Sequence, residues 1–282
     1  SDKDIDCSVT SSIFNLLFFL KCFIFSEKLL NIKFLILSFI VIFIFLDLLD
    51  IDLISAGVGS NQGGVSWYRN DGYQNFTEIL IDSNLQAESV DIGDLDGDGD
   101  LDVAAAGGML YWYENNGTES FTRHSLTINS NGSRRVQVVD MDGDGLKDLL
   151  VGSTGDSTLS WYKNIPSVGL SVRIVTEQAN NLRDVKAIDF NHDGIMEIIV
   201  ANMGANKVSL WQKFGENYSE TIISESVASV HGVDAADFDL DGQVDFVSSS
   251  LADNTITLHR NSFGIDFNDV VISNSISQPW TV

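Results

Sequence analysis

Five aspartates, Asp94, Asp96, Asp98, Asp100 and Asp102, fall within nine residues, DLDGDGDLD, with only Leu and Gly between them. At an effective dielectric near 20, two carboxylates ~4 Å apart repel by about 4 kcal/mol. Several converging on one point must therefore splay, take up protons or hold a cation. Three further stretches repeat the pattern: DMDGDGLKD at 140–148, DFNHDGIME at 189–197 and DFDLDGQVD at 237–245. Numbering each loop from its first aspartate, oxygen-bearing side chains stand at positions 1, 3, 5 and 9. These are Asp140, Asp142, Asp144 and Asp148 in the second loop, Asp189, Asn191, Asp193 and Glu197 in the third, and Asp237, Asp239, Asp241 and Asp245 in the fourth. The backbone carbonyl at position 7 is the expected fifth ligand, from Asp100, Leu146, Ile195 and Gln243.

Oxygen donors at every second residue suit a hard cation, and Ca²⁺ accepts six to eight of them in flexible geometry. Zn²⁺ would draw on His or Cys, and His192 is the only such residue in these loops. The expected cofactor is thus Ca²⁺, about four ions, one per loop. An EF-hand is excluded, since it needs a bidentate Glu at position 12 between flanking helices. Position 12 here is Ala105, Val151, Val200 and Ser248. The third loop carries three formal charges where the others carry four or five, so it is expected to bind most weakly.

The elements that must position these loops are short strands. Asp94, Asp140, Asp189 and Asp237 lie 46, 49 and 48 residues apart, which defines an internal repeat. After each loop comes a short apolar run (LDVAAAG, LLVGS, IIVANMG, FVSSS), then an aromatic strand such as MLYWYEN, then a third such as FTRHS. A fourth, such as RRVQVVD, leads into the next loop. Four strands per unit of about 48 residues, joined by Gly, Asn and Asp turns, fit the blades of a β-propeller. On these motifs the chain resembles the FG-GAP-like repeats of the VCBS and integrin α-subunit group, over roughly residues 50–282. That resemblance implies an all-β propeller in which a DxDGDGxxD loop joins strands within a blade. About five blades can be counted where the family often has seven, and SQPWTV at 277–282 reads as a strand leading toward a further loop, so the expectation is a fragment or an open propeller.

Composition narrows the partners. The formal charge is −24, with 16 acidic side chains in the loops alone, and four Ca²⁺ would bring it only to −16. Such a surface repels nucleic acid and offers no basic patch. Loops with few fixed ligands bind at levels that suit extracellular calcium, and the sequons at Asn75, Asn116, Asn131 and Asn217 agree. Both cysteines, Cys7 and Cys22, precede the repeats and define no disulfide framework. No catalytic motif is present, and His124, His192, His231 and His259 occupy different repeat positions. The expectation is a non-catalytic extracellular or cell-surface scaffold whose ligand is a protein or a carbohydrate. The alternative is the propeller portion of a secreted polysaccharide-active enzyme. Trp67, Trp112, Trp161, Trp211 and His259 recur at 45 to 50 residues, and three have Tyr beside them (Tyr68, Tyr113, Tyr162). One member of each pair is expected to pack between blades, the other to face outward.

Residues 1–49 stand apart from the repeats of 50–282. SDKDIDC resembles the tail of a calcium loop and DIDLISAG at 50–57 resembles DLDVAAAG at 100–107, but an Ile-, Leu- and Phe-rich run separates them. Phe34–Leu46 is 13 residues long without a charge, short of the ~20 that span a bilayer. The segment reads as a non-native insertion, a membrane anchor acting through residues 29–49, or a buried helix; repeat-like sequence ahead of it argues against a signal peptide.

Overall fold

The computed structural model describes residues 51–58, 63–126, 132–262 and 266–279. The hydrophobic run, both cysteines, the Asn131 sequon and the end of SQPWTV lie outside them. Among the described residues no helix is long and apolar enough to cross a membrane. One compact unit comprises Asp52–Arg69 with Thr77–Val282. The other includes, among the described residues, Ile51 with Asn70–Phe76, where the Asp71 carboxylate accepts the Tyr73 and Asn75 backbone N–H groups and so closes a turn.

The fold is all-β: the described residues form nineteen strands in five antiparallel sheets, each sheet a blade of a β-propeller. Blade 1 holds β1 (Leu53–Gly57), β2 (Gly64–Asn70) and β3 (Phe76–Asp82), and blade 2 holds β4 (Ser89–Gly93), β5 (Asp102–Gly107), β6 (Met109–Asn115) and β7 (Phe121–Ser125). Blade 3 is β8 (Ser133–Val139), β9 (Asp148–Ser153), β10 (Leu159–Ile165) and β11 (Gly169–Thr176); blade 4 is β12 (Leu182–Ile188), β13 (Glu197–Asn202), β14 (Lys207–Phe214) and β15 (Asn217–Ser224). Blade 5 is β16 (Val230–Ala236), β17 (Asp245–Ser250), β18 (Thr255–Asn261) and β19 (Phe267–Ser273). Strand order follows chain order in every sheet, so each acidic loop joins the first two strands of one blade. Blade 1 shows three strands among the described residues.

The second strands of blades 3 and 4 are largely apolar on both faces and fully buried, as in LLVGS of β9 and IIVAN of β13. A strand alternates only when one face meets water, and these lie between two neighbouring blades. Alternate residues feed alternate cores. In blade 2, Val103 and Ala105 pack with Val65 and Tyr113 toward blade 1, while Ala104 and Ala106 pack with Leu149, Val151 and Tyr162 toward blade 3. In blade 4, Ile198 and Val200 pack with Trp161 toward blade 3, and Ile199 and Ala201 with Phe246 toward blade 5.

In blades 3, 4 and 5 the first strand is an edge of its sheet, and a side chain of the preceding blade caps one of its free N–H groups. Asp91 accepts from Val138 at 2.7 Å, Gln137 from Ala187 at 2.8 Å and Asp184 from Val233 at 3.2 Å. Each of these rungs spans 47 to 50 residues of chain. Pairing the edge internally removes the exposed donors that would otherwise recruit another strand. They line a polar cavity of about 680 Å³ that Arg135 and Lys186 also face.

The aromatic repeat differs from expectation in two respects. Tyr68, Tyr113 and Tyr162 lie opposite loop-position 10 in the strand register, opposite Leu53, Val103 and Leu149, but so do Trp211 and His259, opposite Ile198 and Phe246. Trp67, Trp112 and Trp161 lie one residue away, opposite Ile54, Ala104 and Leu150. The five residues therefore form two columns on opposite sheet faces, because a one-residue step reverses the face. Neither member of a pair projects outward as a free rim: Tyr113, Trp161 and Tyr162 are 1%, 1% and 3% exposed, each packed against one neighbouring blade or the other.

Candidate metal centres

Each loop is built around its first aspartate. In loop 2, Asp140 Oδ1 accepts the N–H groups of Gly143 and Asp144 and Oδ2 accepts that of Gly145, at 2.8 to 3.1 Å. Asp94, Asp189 and Asp237 likewise accept the N–H of the position-6 glycine at 2.9 to 3.1 Å. Gly99, Gly145, Gly194 and Gly242 have φ of 97°, 88°, 84° and 88°, and no atom lies within 4 Å of an added Cβ. Backbone conformation alone demands glycine there. Position 4 is also left-handed, yet two loops fill it with His192 (φ 60°) and Leu240 (φ 61°).

The position-9 carboxylates are the buried anchors. Asp102, Asp148 and Asp245 are 0% exposed and Glu197 is 4% exposed. Asp148 Oδ2 accepts the Met141 N–H at 3.1 Å and the Trp161 indole N–H at 2.9 Å, while Oδ1 accepts the Asn164 N–H at 2.7 Å. Asp102 and Asp245 hold the equivalent backbone donors, Leu95 with Asn115 and Phe238 with Asn261. Asp52 accepts the Trp67 indole N–H at 2.8 Å, repeating the Asp148–Trp161 contact at the equivalent position of blade 1. Burial outweighs these donors and pushes Asp102, Asp148 and Glu197 above the usual carboxylate range. Asp96 is also raised, by desolvation and by the charges of Asp98, Glu114 and Asp94.

In three loops the side chains at positions 1, 3 and 9 bring carboxylate oxygens within 4.8 Å of one another: Asp94, Asp96 and Asp102; Asp140, Asp142 and Asp148; Asp237, Asp239 and Asp245. Raised carboxylates on one point, with a buried Asp142 Oδ1 that has no hydrogen-bond partner, are what a divalent cation would relieve. Loop 3 has no such acidic trio: Asn191 replaces the position-3 carboxylate and its amide donates to Glu197 Oε1 at 3.1 Å. The position-5 side chains stand outside these trios. Asp98, Asp144, Asp193 and Asp241 each accept the position-7 N–H at 2.8 to 3.0 Å, from Asp100, Leu146, Ile195 and Gln243. The Asp100 side chain packs against Gly117.

Sequence reasoning missed two cations. Lys163 reaches Asp142 and, at 2.9 Å, Asp144, whose carboxyl it holds below the usual range; Arg260 Nε lies 3.1 Å from Asp239 Oδ2. It also missed a buried relay in blade 5. Ser248 Oγ and His259 Nε2 are 2.7 Å apart, His259 Nδ1 and Asp269 Oδ1 2.6 Å, and Ser224 Oγ donates to Asp269 Oδ2 at 2.7 Å. Neighbouring loops are linked, since the Asn164 amide donates to the Leu95 carbonyl of loop 1 and the Met196 N–H of loop 3 to the Met141 carbonyl of loop 2.

A family model described as FG-GAP-like repeat matches residues 50–105, 103–151, 140–200 and 189–248. Among solved structures, a protein of Lactobacillus plantarum is 14% identical with a TM-score of 0.53, covering 81% of this chain and 69% of its own. An auxiliary nutrient binding protein of Bacteroides ovatus is 12% identical (TM-score 0.49, 81% of this chain and 62% of its own). The biofilm matrix protein Bap1 of V. cholerae is 18% identical (TM-score 0.47, 75% of this chain and 34% of its own). This chain thus spans about a third of the last protein's length. No curated protein matches at a significant level.

Proposed function

Because this chain belongs to the FG-GAP-like repeat family, we propose that it is a calcium-binding, non-catalytic propeller that presents an extracellular or cell-surface binding scaffold. The observation that carries the reading is the convergence, in three of the four loops, of a fully buried position-9 carboxylate with the carboxylates of positions 1 and 3. Asp94, Asp96 and Asp102 would hold one ion, Asp140, Asp142 and Asp148 a second, and Asp237, Asp239 and Asp245 a third. Asp189, Asn191 and Glu197 would hold a fourth more weakly, with the position-5 side chains and the carbonyls of Asp100, Leu146, Ile195 and Gln243 as further donors. An ion at each point would neutralise the loop that links the first two strands of its blade, so its binding energy adds to folding stability. The partner would be a protein or a carbohydrate, met by surface loops on a rigid set of blades.

Native mass spectrometry of the full chain with added Ca²⁺, paired with thermal unfolding before and after chelation, tests this. Three tight ions and a weaker fourth, with a melting temperature that falls on chelation, support it. A chain that binds no Ca²⁺, or that loses no stability without it, overturns it.

A further inference from the structure

The residue that faces each loop from the third strand of the blade changes charge from blade to blade. It lies one step past the pair at loop-position 10, hence across from position 9: Glu114 follows Tyr113 opposite Val103, Lys163 follows Tyr162 opposite Leu149, Gln212 follows Trp211 opposite Ile198, and Arg260 follows His259 opposite Phe246. In loops 2 and 4 this residue reaches the position-3 aspartate. Lys163 contacts Asp142 and lies 2.9 Å from Asp144, and Arg260 lies 3.1 Å from Asp239. In loop 1 the same place is taken by Glu114, whose charge adds to the field on Asp96 and which pairs with His124 at 2.7 Å.

We propose that Lys163 and Arg260 are tethered counter-ions of loops 2 and 4, which calcium must displace from the position-3 carboxylate, so that loop 1 fills at lower calcium than either. This rests on the calcium reading above and adds an order to it. Counting the trio and the facing residue, loop 1 presents four negative charges. Loops 2 and 4 present three less one positive. An ammonium or guanidinium on Asp142 or Asp239 offsets part of the charge that would draw the ion and occupies one of its ligands. Lys163 lies along the Trp161 ring, 5.6 Å from its centroid, and only 18% of its side chain is exposed. Without calcium each cation protects its loop from carboxylate repulsion, so these two blades keep their connection while the ion is absent.

The test uses Lys163→Met and Arg260→Met, which keep the aliphatic stem, and Glu114→Gln, read by calcium titration calorimetry and by melting temperature in chelator. The expected result is about tenfold tighter binding at one site in each cation variant, the range for removing a half-exposed counter-charge from a divalent site. Glu114→Gln should weaken the tightest site. In chelator Lys163→Met should melt below the parent chain, and with saturating calcium the difference should vanish. Unchanged or weaker calcium affinity in both cation variants, in a parent chain that does bind calcium, overturns the proposal while leaving the metal reading intact. A parent chain that binds no calcium overturns both. If Lys163→Met fails to fold, Arg260→Met, whose side chain is half exposed, decides alone.

Discussion

Replacing Asp148 by Asn isolates what the buried position-9 carboxylate does. The substitution preserves shape but exchanges one acceptor oxygen for an amide. Three donors converge on that carboxylate: the Met141 and Asn164 N–H groups and the Trp161 indole N–H. The better rotamer keeps the amide oxygen toward Met141 and Trp161, which leaves the Asn164 N–H facing an NH₂ group in a fully buried place. Losing one hydrogen bond to a charged acceptor and stranding a donor costs about 3 kcal/mol. Over a cooperative unit of this size, each kcal/mol lowers the melting temperature by roughly 2–4 °C, so the fall should be about 6–12 °C. Circular dichroism melts in chelator measure the hydrogen-bond part. The same melts in calcium should show a larger gap, because the variant also loses a charged ligand of loop 2. Asp144→Asn is the comparison: its side chain lies outside the converging trio, where it accepts the Leu146 N–H and the Lys163 ammonium near the surface, so the chelator melt should fall less than that of Asp148→Asn. If Asp148→Asn melts with the parent in both buffers, the carboxylate neither organises the loop nor meets an ion, and the reasoning fails.

Gly145→Ala should cost about 1–2 kcal/mol through its φ of 88° alone, since an added Cβ has open space, and Leu240→Gly, at φ 61°, should be neutral or stabilising; urea midpoints that move in the same direction for both would contradict this. Asn191→Asp supplies loop 3 with the acidic trio it lacks and should raise the affinity of the weakest calcium site, as read by calorimetry. The pH response should reverse with the ion. Folded Asp102, Asp148 and Glu197 are raised by burial, so in chelator they bind protons that the unfolded chain does not between their raised values and about pH 4. Their contribution to stability therefore grows as pH falls through that window, while Asp82, Asp144 and Asp269, held low, lose theirs only below it. Calcium needs the same carboxylates ionised, so the rise in melting temperature on adding it should shrink from pH 7 to pH 5. A rise that is unchanged or larger at pH 5 would refute the assignment.

The parts of this molecule that could be read from the chain are those written in one strand or one loop. Alternate aspartates with glycine at position 6 mark a loop whose backbone must turn left-handed, and the near-constant period gives the blades. The parts that could not be read depend on how strands are paired. Nothing local to Lys163 or Arg260 says that either will lie across from a loop 15 to 21 residues away. That follows only once the hairpin between the second and third strands fixes their register. The rungs of Asp91, Gln137 and Asp184 were hidden for the same reason, since each joins strands nearly 50 residues apart.

His259 shows how a constant period conceals a change of role. Its spacing from Trp211 matches the aromatic repeat, and both share the register of the tyrosines. In that column Tyr113 donates its hydroxyl to Asp82, a carboxylate of the preceding blade. His259 instead turns to its own blade, between Ser248 on β17 and Asp269 on β19. The order of serine, imidazole and carboxylate is that of a nucleophilic relay, but His259 is 0% and Ser248 1% exposed. A nucleophile must meet a substrate carbon, and here the hydroxyl faces the interior of the sheet. An imidazole, with a ring nitrogen aimed at each partner, is suited to bridging a hydroxyl and a carboxylate across three strands. It pairs the buried Ser248 hydroxyl, which an aromatic ring would leave without a partner, while Asp269 would keep the Ser224 hydroxyl and water. His259→Phe should therefore destabilise blade 5 by the cost of one stranded hydroxyl, about 1–3 kcal/mol, whereas His259→Gln should recover part of it. Equal melting temperatures for the two variants would show that the relay contributes nothing beyond filling space.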